Sequence, residues 1–316
     1  MFLTELTRRL RTPLAATGLV VLLVGLGVLG LRSAGMLEGL ELSAYDWYLR
    51  LRPFESRPDP RILLVTVTEQ DIQEQKGWPL SDAVLANTIE ALARYNPRAI
   101  GLDMYRDLPV PPGADKLSRA LTVPNVVVVT KFAEGSSAGV RPPAVLKGTE
   151  QIGFNDIVLD PGGIVRRGLL FLDDGVRVLY SFALQLALQY LRPEGVVPQP
   201  DPVDARLLRL GHTTIRPLEP NDGPYVGTDA RGYQFLLDFK GGRASFRAVT
   251  LTDLLSGTIN PEEVKGKIVL IGITADSCSP QAVMPPWALA CPEQSAPAAA
   301  ITGEKQSVSA VTAVYR

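Results

Sequence analysis

The densest gathering of residues able to do chemistry is NDIVLDPGGIVRR, residues 155–167, where Asn155, Asp156, Asp160, Arg166 and Arg167 surround Gly162 and Gly163. Carboxylates at this density invite a calcium reading, but the spacing argues against it. Twelve-residue windows opening at Asn155 or Asp156 end in Arg166 or Arg167, where the loop needs a bidentate glutamate. Two readings remain. Pro161-Gly162-Gly163 makes a turn into a strand, with the aspartates capping backbone groups and the arginines pairing them; or Asn155, Asp160, Arg166 and Arg167 meet an anionic ligand.

Asp103 follows the apolar run 99–102, which places it at the carboxyl end of a strand. That edge is where open α/β sheets bind ligands, although an aspartate there also caps turns. Trp78 precedes Pro79 and a helix cap, so it either lines a pocket or staples that helix. Gly266-Lys267 is no phosphate loop, because no glycine stands five residues earlier and isoleucine follows the lysine. His212 is the single histidine, in a stretch that reads as strand or surface, and both cysteines, Cys278 and Cys291, lie in the last forty residues. Zinc sites on paired histidines, triads needing a histidine base and CxxC redox sites have nothing to build on. No catalytic set, metal site or cofactor is expected. The net charge of −1 gives no electrostatic case for nucleic acid.

The elements that must position these residues change character along the chain. Buried-strand runs at 62–67, 98–104, 126–130 and 267–273 alternate with helices opening at Ser81-Asp82, near Ala114 and at Ser181. Such alternation predicts an α/β domain with a parallel or mixed sheet, KIVLIGI (267–273) being interior. Asp174-Gly175 and Gly211 mark hairpins, and 233–239 and 250–257 read as a strand and a short helix.

Ahead of the domain, residues 12–31 run for twenty residues without a charge. As a helix that is about 30 Å, the hydrocarbon thickness of a bilayer. Arg8, Arg9 and Arg11 precede it, while Arg32 alone follows before Glu38, Glu41 and Asp46, which favours an N-terminus inside and the bulk outside. A cleaved signal peptide is the rival, though its apolar core is typically about 7–15 residues. Gly25, Gly27 and Gly30 spell G-x-G-x-x-G inside the same segment, but no strand and polar loop accompany them, so no dinucleotide site is expected. Residues 42–53 read as a juxtamembrane helix lying against the domain or the bilayer surface.

In order, GWP (77–79), RAIGLDM (98–104), GFNDIVLDPGGIVRR (153–167), SFALQLA (181–187) and KGKIVLIGITADS (265–277) resemble the second type of CHASE domain. These are extracytoplasmic sensory modules associated with cyclases and histidine kinases. The resemblance implies a non-catalytic input module, with an output domain beyond further membrane helices and ligands mostly unidentified. From Ser277 the family pattern is replaced by a tail in which Ala, Pro and Ser make up nineteen of forty residues, the mark of a frameshift or of a disordered extension.

The expected organisation is thus a cytoplasmic N-terminus (1–11), a transmembrane helix (12–31), one extracytoplasmic α/β sensor domain with a mixed sheet (42–276) and a disordered or out-of-family tail (277–316). The expected function is that of a single-pass sensory input domain without its output domain. Its partners are the membrane through 12–31 and a small-molecule or protein cue, with no nucleic acid and a homodimer left open. The alternative is an anchored or secreted α/β enzyme of hydrolase type, against which the lack of a G-x-S-x-G elbow counts. Trp78, Asp103, Asn155, Asp160, Arg166 and Arg167 are the candidate ligand residues.

Overall fold

The computed structural model describes residues 13–53, 57–132, 139–173, 177–239 and 245–275. The expected N-terminus 1–11, the Asp174-Gly175 turn and the tail 277–316 lie outside them. The described residues form two units, one comprising 13–52 and 219–230, the other 53–218 and 231–275 where described.

In the first unit, α1 (Pro13–Ser33) is apolar on every face and exposed, and it is long and apolar enough to cross a membrane. Its end is a Schellman motif: Met36 N–H donates to Leu31 O at 3.0 Å and Gly35 N–H to Arg32 O at 2.9 Å. Gly35 sits at φ +74°, which a side chain would strain. The chain then turns into α2 (Glu38–Leu51), four residues earlier than the periodicity suggests. The segment 219–230 closes on these helices, with Arg32 donating to Gly223 O at 2.7 Å and pairing with Glu41 at 3.0 Å. Glu38 accepts from Val226 N–H, and Tyr225 and Leu42 are buried.

The second unit is built on a six-stranded sheet. Its strands are β1 (Ile62–Val67), β2 (Ala99–Leu102), β3 (Val126–Thr130), β4 (Ile152–Phe154), β13 (Arg247–Thr250) and β14 (Ile268–Ile273), in the spatial order β13-β1-β14-β2-β3-β4. All neighbours are parallel. β14 is the KIVLIGI run, and all six of its residues are buried, as a strand covered on both faces requires.

One face carries α4 (Asp82–Ala93), α5 (Ala114–Leu121) and α7 (Leu251–Leu255), whose Leu85, Ile89, Leu117 and Leu254 meet Val65, Leu102, Val128 and Ile271 in one core. Ser81 caps α4 through Val84 N–H, and a short α3 (Glu69–Glu74) opens with a Thr68/Asp71 capping box. The opposite face receives α6 (Phe182–Leu191), capped by Ser181. That helix sits so close that a Cβ on Gly153 would lie 2.4 Å from Phe182 Cα, and one on Gly101 would lie 2.7 Å from the Phe182 ring. Only glycine lets the helix down onto these strands.

The antiparallel pairs expected of a mixed sheet are present but lie apart from the parallel one. β5 (Val158–Asp160), β6 (Ile164–Leu169) and β12 (Gln234–Leu236) form one small sheet, β7 (Phe171–Asp173) and β8 (Val178–Tyr180) a second. β9 (Pro198–Pro200), β10 (Leu208–Leu210) and β11 (Thr213–Ile215) form a third, with Gly211 in the β10–β11 turn as the hairpin signal indicates.

Candidate functional site

Because the main sheet is parallel, every strand sends its following loop out at the same edge, where ligands meet open α/β sheets. Asp103 is the first residue past β2, and its N–H donates to Ile271 O at 2.9 Å, which holds it against the neighbouring strand. Its carboxylate accepts from Asn155 Nδ2 at 3.2 Å, and Asn155 Oδ1 accepts from the Tyr105 hydroxyl at 2.7 Å. Asn155 follows β4 and is set by its own N–H, which donates to Thr130 O at 3.2 Å. Asp156 accepts from Phe132 N–H at 3.1 Å. Loops from three successive strands are thereby joined by polar side chains.

The loop after β2 is held from beneath. Arg106, buried, donates to Tyr105 O at 2.8 Å and to Leu80 O at 2.9 Å, with its Nε 3.6 Å from Asp82. This ties Tyr105 to the start of α4.

Desolvation pushes the Asp103 carboxyl up to about 6, against the lowering effect of the Asn155 hydrogen bond. Burial likewise raises the Tyr105 phenol; the Asn155 bond opposes that, and the carboxylates of Asp103 and Asp156 add to it. A carboxylate kept where ionisation is costly is a mark of a functional position. Well below pH 3.8, the ordinary aspartate value, Asp103 is protonated in both the folded and the unfolded chain and costs nothing. As pH rises from 3.8 to about 6 the unfolded chain ionises while the folded carboxyl keeps its proton, so stability falls across that window and is level above it. Asp103→Asn, which still accepts from Asn155, should therefore raise stability at pH 8 by about 1–3 kcal/mol and leave it unchanged at about pH 3. Urea unfolding at the two pH values checks this, and a variant less stable at pH 8 would contradict it.

Beside this cluster, along the edge strand β4, runs a groove of about 1260 Å³. Among the described residues, Lys131, Arg141, Lys147, Arg177 and Arg192 line it together with Asp107 and Glu150. Phe132 and Phe154, whose rings lie 4.8 Å apart, supply part of its apolar wall. The groove starts one residue from Asn155, since Phe154 lines it.

The six candidate residues divide. Asp103 and Asn155 meet at the sheet edge, and Trp78, exposed, stands on the loop into α4 at the same edge. Asp160, Arg166 and Arg167 do not join them. The turn at Gly162-Gly163 folds β5 against β6, so that Asp160 accepts from Arg166 at 3.0 Å and from Arg167 at 2.8 Å. Arg167 also donates to Gln234 Oε1 at 2.8 Å. With the carboxylate 0% exposed and each arginine side chain 4% exposed, the geometry is that of internal pairing, the first of the two sequence readings. Tyr105 and the groove cations were outside the sequence reading. Tyr105 stands two residues after Asp103, a position that could have suggested it; the cations come from separate segments with no local pattern.

The α/β domain thus carries a polar cluster at the carboxyl edge of its main sheet and a basic groove along the outer strand β4. Among the described residues no group of His, Cys, Asp and Glu could hold a metal ion. The chain belongs to the CHASE2 domain family, which matches residues 20–301. CHASE2 domains are extracellular sensory domains. The match continues past 277, so part of the segment read as out-of-family falls within the matched span. Comparisons with curated proteins and with solved structures find no match.

Proposed function

We propose that this chain is a non-catalytic, extracytoplasmic sensory input domain, anchored through residues 12–31, that takes an anionic cue with an apolar body in the groove beside β4. Trp78, Asp103 and Asn155 at the adjoining edge report its arrival. The carrying observation is the charge of the groove, five cations to two carboxylates among its described lining residues, in a chain whose net charge is −1. Membership in a family of extracellular sensors and the apolar N-terminal helix support the reading. Guanidinium and ammonium groups bind carboxylate or phosphate, and the Phe132–Phe154 wall suits a flat apolar portion.

Benzoate and benzamide share a shape and differ in charge, which makes them the test pair. With the full chain in lipid nanodiscs, benzoate should raise the melting temperature and benzamide should not. At a hundredfold excess over Kd the stabilisation is about 2.7 kcal/mol. Arg141→Gln with Lys147→Gln, both exposed, should abolish the benzoate response and leave the unliganded melting temperature unchanged. Equal responses to the two probes, or a full response in the double variant, would overturn the assignment.

A further inference from the structure

Helix α2 carries apolar side chains on two opposite faces. One face holds the buried Leu42 and Asp46. The other holds Leu40, Trp47, Tyr48 and Leu51, which are 70%, 59%, 79% and 75% exposed. Their spacing of i, i+7, i+8 and i+11 puts them on one stripe with Ala44, free of carboxylates. Large exposed apolar stripes mark contact surfaces.

Position along the chain decides what the stripe contacts. Only residues 34–37 separate α1 from α2, a tether of about 14 Å at full extension. The headgroup region on one side of a bilayer is about 5–8 Å deep. If α1 crosses the membrane, α2 therefore begins in or beside that layer. The two helices are not one continuous rod. Arg32 and Glu41, nine residues apart, meet at 3.0 Å, where an unbroken helix would separate them by about 13 Å along its axis. The Gly35 turn lays α2 aside from the axis of α1, and tryptophan and tyrosine are the residues of membrane interfaces. Arg50 lies over the Trp47 ring, 5.1 Å from its centre, which presents a cation at the depth of lipid phosphates.

We propose that α2 lies in the headgroup layer of the bilayer, with Leu40, Trp47, Tyr48 and Leu51 against lipid. This rests on α1 as the membrane span. The helix then fixes the first unit against rotation about α1, since its stripe has one orientation in which it reaches lipid.

The test uses the full chain in phosphatidylcholine/phosphatidylglycerol vesicles, with Trp78→Phe and Trp287→Phe leaving Trp47 as the single tryptophan. Lipids brominated on their acyl chains should quench Trp47 fluorescence by more than half, and external iodide should have little effect. Tyr48→Asp with Leu51→Asp should reverse that pattern while the circular dichroism is unchanged. Quenching by iodide and not by brominated lipid overturns the proposal. So does protection from both together with a disulfide between copies through Tyr48→Cys, in a Cys278→Ser/Cys291→Ser background, because a second copy then covers the stripe. Release of the chain by alkaline carbonate overturns the reading of α1 and the placement of α2 with it, whereas retention without lipid quenching overturns α2 alone.

Discussion

Asp160→Ala is expected to destabilise the protein by about 3–5 kcal/mol, because it leaves the Arg166 and Arg167 guanidinia buried without their shared carboxylate. Both arginine side chains are 4% exposed and Asp160 is 0% exposed, so water cannot replace the lost partner without opening the β5–β6 hairpin. Breaking a buried ion pair from one side costs about 3–5 kcal/mol. A domain has about 5–15 kcal/mol in all. Urea unfolding followed by circular dichroism should show a loss of that size, and a loss below about 1 kcal/mol would mean that the arginines do not depend on Asp160. Arg166→Gln with Arg167→Gln should also lower stability in the absence of any ligand, since the buried Asp160 then loses both guanidinium partners. Replacing all three by Leu, Met and Met should recover much of the loss, because an apolar trio of similar volume leaves no uncompensated charge. Failure to recover would point to a separate role for the Arg167 side chain through its bond to the Gln234 side chain.

Leu270→Asp should be as severe by a different route. Leu270 is fully buried at the centre of β14, paired in register with Leu64 on one side and Gly101 on the other. An aspartate there has no donor within the sheet face and must be held neutral or desolvated, at a cost of several kcal/mol. Expression as inclusion bodies, or loss of the cooperative transition, is the expected result. A soluble variant with a parental melting temperature would show that β14 is not the interior strand on which the sheet is assembled. Asp103→Asn, one strand over, is expected to move stability the opposite way at pH 8, so the pair separates a carboxylate introduced into the core from one already held at the edge.

Read as sequence alone, the chain determined what depends on near neighbours. The uncharged run predicts α1 because a helix apolar on every face is visible without a partner. Ser81 and Ser181 mark helix starts because a cap acts on a backbone N–H three residues on. The unbroken apolar run at 268–273 predicts a strand covered on both faces, and Asp103 falls at its strand end, because strand length is counted locally. Strand order was not legible, since β14 enters between β1 and β2 from residues far along the chain, and nothing local specifies that slot. The partner of Asp160 was open in sequence because it could face its own arginines or a ligand; the β5–β6 hairpin turns it onto Arg166 and Arg167. Arg32 meets Gly223 across 191 residues of sequence, and the groove takes its cations from segments spread over residues 131–192. Hydrogen bonds and caps within one turn are read from spacing, whereas a groove exists only after separate segments have been packed side by side, which tertiary structure alone supplies.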